Sequence, residues 1–125
     1  VGTVTLKRLT ISHVLTPLSV TLAEGNDMER LVAMNINARA TTRMALSVKS
    51  WGTARTHYVR LEDCRLEFQG IDDPLLPEKM AALPRSQWPF FSSYGLWFRN
   101  VDKLSVKNVE CTTIGKDYRP VMMRE

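Results

Sequence analysis

A chain of 125 residues, 44% of them hydrophobic, is long enough for one core, and a single domain over 1–125 is the expected organisation. No run approaches the roughly 20 apolar residues of a membrane span, and the opening VGTVTLKRLT has neither the basic start nor the apolar stretch of a signal peptide, so no membrane partner is expected. The net charge of +4 and pI near 9.3 suit an acidic partner, but the 17 basic residues are scattered among 13 acidic ones without a Lys/Arg block or an RNA-reading aromatic motif, and nucleic acid is not the expected one.

The first element lies at Val4, Leu6, Leu9 and Ile11, an apolar-x-x-apolar-x-apolar pattern from Leu6 onward, and a shorter alternating pair follows at Leu18 and Val20. The pattern recurs at Leu31, Met34 and Ile36, with Glu29 in the place two residues earlier, and its pair is Leu46 and Val48. A third copy runs through Val59, Leu61, Cys64 and Leu66, with its pair at Leu96 and Phe98. The fourth is Leu104, Val106, Val109 and Cys111, followed by Val121 and Met123.

Alternation puts the apolar residues of each segment on one face, and the two-residue skip marks a bend after which the inward face is re-established. Each unit therefore holds two strands, and no segment keeps a helical apolar period for three turns. The recurrence of about 25 to 30 residues fits one coil of a β-solenoid, whereas leucine-rich repeats would need asparagines at a position where none recur here. The expected fold is all-β: about four rungs of a right-handed parallel β-helix, with Leu6, Leu31, Leu61 and Val106 forming one inward ladder. A stack this short exposes sheet edges, so the remaining rungs of a parent chain are expected partners.

Between the third long segment and its pair lies 70–94, GIDDPLLPEKMAALPRSQWPFFSSY, which holds four of the six prolines and reads as an inserted loop, with Asp72 and Asp73 in a turn. Cys64 and Cys111 lack metal or redox spacing and are expected as buried free thiols. His13 and His57, without clustered acids, read as surface or turn residues, and no metal site is expected. Glu62, Asp63, Glu67 and Glu110 are near enough in the repeat to form a hydrolytic carboxyl pair, but their alternation with apolar residues makes them ordinary solvent-facing positions. With no Gly-rich phosphate cradle and no nucleophile elbow, no cofactor is expected. Trp51 and Trp88 offer aromatic plates on which sugar rings stack; Trp97 alternates outward between Leu96 and Phe98, to face solvent or lie under the Pro-rich loop. Lys49 ends a strand just before Trp51, so that a cation and an indole sit within one turn.

The stretches ALSVKSWGTARTHYVRLEDCRLEF (45–68) and YGLWFRNVDKLSVKNVECTTIGKDYRPVMM (94–123) resemble the late rungs of polygalacturonase-like glycoside hydrolases, family 28 and its relatives. The resemblance implies a pectin-lyase-type β-helix from an exported protein, secreted or periplasmic, that acts on acidic plant-type polysaccharide or oligosaccharide. Lys49 falls where the family's Arg-Ile-Lys segment has its lysine, Ser47 departs from its arginine, and Arg119-Pro120 matches an Arg-Pro turn. The Gly-His-Gly histidine is missing at Thr16 to Leu18, so this stretch is expected to be scaffold and substrate-cleft wall, inactive alone, with Lys49, Trp51, Trp88, Trp97 and Arg119 as saccharide contacts. The alternative is a non-catalytic β-solenoid module that binds saccharide or protein.

Overall fold

In the computed structural model, which describes residues 2–14, 16–41, 45–84 and 93–124, long and short strands alternate along the chain. The long ones are β1 (Thr3–Ser12), β3 (Met28–Thr41), β5 (Thr56–Gln69) and β7 (Val101–Ile114); the short ones are β2 (Ser19–Leu22), β4 (Leu46–Ser50), β6 (Leu96–Arg99) and β8 (Met122–Arg124). Among the described residues they form two four-stranded sheets, ordered β1-β3-β5-β7 and β2-β4-β6-β8, and every neighbouring pair is parallel. Each circuit of the chain thus adds one strand to each sheet. No described helix is long and apolar enough to cross a membrane.

The skip in the apolar pattern has a backbone cause. Arg8, Asn35, Asp63 and Asn108 all have φ between 51° and 56°, and the register brings the four level with one another across the first sheet. One left-handed residue reverses the alternation, so the residue two places before it and the residue one place after it face the same interior. Asn and Asp tolerate this conformation best among residues with a side chain, and three of the four positions carry one. The Asn108 amide donates to Asp63 Oδ1 at 2.7 Å, tying two of the bends together.

Three of the four long segments stack as their patterns predict, and one does not. Leu6 stands beside Ala33, Ala33 beside Leu61, and Leu61 beside Val106, while Leu31 is level with Val4 and Val59. The second segment is therefore displaced by two residues from the expected ladder. Leu31-x-x-Met34-x-Ile36 and Ala33-x-x-Ile36-x-Ala38 satisfy the same template, and the buried, small Ala33 and Ala38 hold the core positions. A two-residue shift keeps the face of Leu31 and Ile36, which are buried as expected, but Met34 falls just before the bend at Asn35, level with Lys7 and Glu62, and faces outward instead of into the core. The apparent break at Glu29 also disappears, because Leu31 fills that place.

In the second sheet Val20, Val48 and Phe98 form one column and Leu46 stacks on Leu96. The column continues to Arg124, and Met122 stacks on Leu96, so the last short strand lies one residue out of the expected phase and Met123 takes the opposite face. Arg124 Nη2 donates to the carbonyls of Val101 (2.9 Å) and Asp102 (3.3 Å) at the end of this column.

The core is best closed in the middle of the stack. Leu31, Leu46, Val48, Val59, Leu61 and Phe98 are fully buried, whereas Leu9 on β1 and Val106 on β7 are 37% and 39% exposed at the sheet edges. Cys64 is buried and Cys111 half-buried, both as free thiols, and burial pushes the Cys111 thiol up to about 11.

The segment 70–94, expected as loop throughout, contains a short helix, α1 (Leu76–Ala81). Asp73 starts it: Oδ1 accepts from Leu75 N–H at 3.0 Å, the Asp73 carbonyl accepts from Leu76 N–H at 3.0 Å, and Lys79 Nζ reaches Oδ2 at 2.7 Å. The Lys79 and Leu75 hydrogen bonds hold the Asp73 carboxyl below its usual range. The turn expected at Asp72 and Asp73 is present, and it serves as a helix cap.

Candidate functional site

The outer face of the second sheet gathers a group of cations and an indole. With Val48 and Phe98 in the core, alternation turns Lys49 and Arg99 outward, and the register sets Thr21, Lys49 and Arg99 side by side on β2, β4 and β6. Burial lowers the pKa of Lys49. Immediately after β4, Trp51 N–H donates to the Leu22 carbonyl at 3.0 Å and the Trp51 carbonyl accepts from Ala54 at 3.1 Å. This tight turn uses Gly52 at φ +62°, where an added Cβ would also meet the Glu24 side chain at 2.8 Å. The turn holds the Trp51 ring under the Arg99 guanidinium, 4.5 Å from its centroid. Lys49 and Trp51 are thus joined by Arg99, which sequence reasoning passed over because its neighbour on the adjacent coil lies 50 positions earlier.

The other expected contacts behave differently. Trp97 does point away from the core cluster, between Ser47 and Met123, but it is fully buried and its Nε1 has no acceptor among the described residues. It presents no open face. Trp88 lies outside the described residues. Arg119 is drawn into a closed pair with Asp117, their side chains 1% and 0% exposed. Its Nε donates to Asp117 Oδ1 at 3.0 Å and its Nη2 to Oδ2 at 2.7 Å, while Ile71 N–H and Arg119 N–H donate to the same carboxylate. The pair orders the turn after β7 and ties it to the start of the 70–94 segment; its guanidinium is not open to a ligand.

A second polar group sits where the turns lead into the long strands. His57 Nδ1 lies 2.7 Å from Asp102 Oδ2 and its Nε2 lies 3.5 Å from Asp27 Oδ2, and Arg55 also pairs with Asp102. The histidine expected to stand alone is thus held between a carboxylate just before β3 and one on β7, the strands on either side of its own. The Asp102 hydrogen bond, with the charges of Asp102 and Asp27, raises the His57 pKa above 6.5. A folded-state pKa raised above the unfolded one means that the contribution to stability is complete below about pH 6.5 and is lost as pH rises through the folded value. The denaturation midpoint of the native chain should therefore fall relative to that of His57→Gln between about pH 6 and pH 8, with the ring titrating above 6.5 by NMR. Parallel profiles for the two proteins would exclude the link.

Of the outward carboxylates, Glu62 is engaged by Arg60 (Nε to Oε2 2.7 Å) and Asp63 accepts from Asn108. Glu67 and Glu110 line a depression of about 190 Å³ on the outer face of the first sheet.

No protein-family model, curated protein or solved structure matches this chain.

Proposed function

We propose that these coils are a stretch of right-handed parallel β-helix from an exported polysaccharide-processing protein of polygalacturonase type, in which they act as scaffold and as one wall of a cleft for acidic saccharide. Two parallel sheets built by alternating strands, with one left-handed bend repeated at the same level of every long strand, support the β-helix reading. The observation that carries the functional reading is the Lys49, Arg99 and Trp51 face: two cations on adjacent strands, one of them resting on an indole. A uronic-acid sugar presents a carboxylate for such cations and an apolar ring face for such an aromatic. The partner is accordingly an acidic oligosaccharide, and the chain by itself should bind without hydrolysing. The same face would serve a module with no catalysis anywhere, a reading favoured by the engagement of Glu62 with Arg60 and of Asp63 with Asn108.

The test is titration with oligogalacturonate in low salt, where exposed charges are least screened. Lys49→Ala and Arg99→Ala are each expected to weaken binding about tenfold, the loss of one charge-assisted hydrogen bond of roughly 1.5 kcal/mol. Unchanged affinity in both variants, with intact circular dichroism, would remove this face from consideration.

A further inference from the structure

Beyond the bend at Arg8, Asn35, Asp63 and Asn108, the outer face of the first sheet is not flat. β3 pairs Ala38 with Leu66 and Thr41 with Phe68, so it carries one extra residue opposite Glu67. Such a bulge bends its strand and re-aims the side chains beside it. The depression opens here, lined by Asn37 and Arg39 from β3, Arg65 and Glu67 from β5, and Glu110 and Thr112 from β7. Asn37, Arg65 and Glu110 form one row across the three strands, and Glu67 and Thr112 lie level in the next outward row.

Several opposite charges elsewhere on the surface close on one another. Arg60 meets Glu62, Arg55 meets Asp102 and Lys79 meets Asp73. Arg65 and Glu110 are direct neighbours across β5 and β7 with opposite charge, yet among the described residues neither makes an ion pair or side-chain hydrogen bond, and the same holds for Arg39. Among the described residues, two guanidinium groups and a carboxylate therefore face the same concavity without a side-chain partner, beside an amide and a hydroxyl.

We propose that this depression is a second saccharide subsite, separate from the Lys49 and Arg99 face, that takes a carboxylate-bearing sugar unit. The inference rests on the saccharide-binding reading above and deepens it. Arg39 and Arg65 supply the planar donors that a sugar carboxylate accepts, and Glu110 accepts from ring hydroxyls that both Asn37 and Thr112 also reach. A polyanion without hydroxyls meets repulsion from Glu110, and a neutral glycan leaves the arginines without an anion. Three strands span two strand spacings, about 10 Å, enough for two linked sugar rings lying along the stacking direction.

Titration with a galacturonate trisaccharide in low salt, followed by backbone amide NMR shifts, tests this on the full chain. Three proteins are compared: the native chain, the doubly substituted Arg65→Ala, Glu110→Gln, and the doubly substituted Lys49→Ala, Arg99→Ala. All are checked by circular dichroism, and the first pair of substitutions touches exposed side chains only. The native chain should show saturable shifts at Arg65 and Glu110, and its Arg65→Ala, Glu110→Gln form should lose them and bind about tenfold more weakly at that site. The neutral galactose trisaccharide should leave these amides unmoved. Retention of native affinity and shifts at neighbouring amides by Arg65→Ala, Glu110→Gln, with loss only in Lys49→Ala, Arg99→Ala, would overturn the second subsite and leave the proposed function standing. Absence of binding by all three would overturn both.

Discussion

Replacing Asp117 by asparagine is expected to destabilise the chain by about 3–5 kcal/mol, because it leaves the Arg119 guanidinium buried beside a neutral group. The side chains of the pair are 1% and 0% exposed, and the Asp117 carboxylate also accepts from the Ile71 and Arg119 backbone N–H groups. Burial acts to raise the Asp117 pKa, but hydrogen bonds from the Arg119 side chain, Arg119 N–H and Ile71 N–H, together with the Arg119 charge, outweigh it and hold the carboxyl below 3.8. A depressed folded-state pKa contributes stability that is complete above the unfolded value and lost as pH falls through the folded one. The native chain should thus lose stability on acidification below about pH 4, and Asp117→Asn should flatten that limb. Urea denaturation across pH measures both effects. A loss under about 1 kcal/mol at neutral pH would mean that the pair behaves as a solvated surface contact.

The second large effect is expected at Phe98, fully buried in the column Val20, Val48, Phe98 of the second sheet. Phe98→Ala should cost about 3–5 kcal/mol, combining the lost transfer free energy with the cavity left between two parallel sheets. Val106→Ala provides the contrast at the sheet edge, where the side chain is 39% exposed. It removes two carbon groups worth at most about 0.8 kcal/mol each and should cost about 1 kcal/mol after discounting for exposure. Similar losses at the two positions would show that the interior and edge coils do not differ in burial as described.

The alternation of long and short strands in an all-β chain was legible because its signal is local. Leu6, Leu9 and Ile11 show both the alternation and the skip, and the skip corresponds to one left-handed residue at Arg8, Asn35, Asp63 and Asn108. Registration was legible where large residues hold the core positions, as in β5, and failed in β3, where Ala33 and Ala38 do so and Met34 competes for the same place in the pattern. The helix α1 is harder to read: Asp73-Pro74 is a start signal, but the same prolines also break strands and mark loops.

The candidate site was legible in the same uneven way. Lys49 and Trp51 are neighbours in sequence, so their shared face could be read directly. Arg99 over Trp51 and Asp102 beside His57 depend on which residues become level after a 70–94 segment whose length no local pattern fixes. The Arg119 pairing, by contrast, is local: Asp117 is two residues away, and a buried turn in which the two lock together leaves no guanidinium for substrate.

Successive long strands of this chain lie parallel and side by side, and so do the short ones. Isotope-edited NMR tests this through interstrand proton contacts. Amide to α-proton cross-peaks should join β1 with β3, β3 with β5 and β5 with β7, in registers that pair Leu6 with Ala33, Met34 with Glu62 and Leu61 with Val106. The same should hold for Val48 with Phe98 in the second sheet. Strong α-proton to α-proton cross-peaks between consecutive strands, as in antiparallel hairpins of β1 with β2 or β3 with β4, would contradict the stacked-coil account.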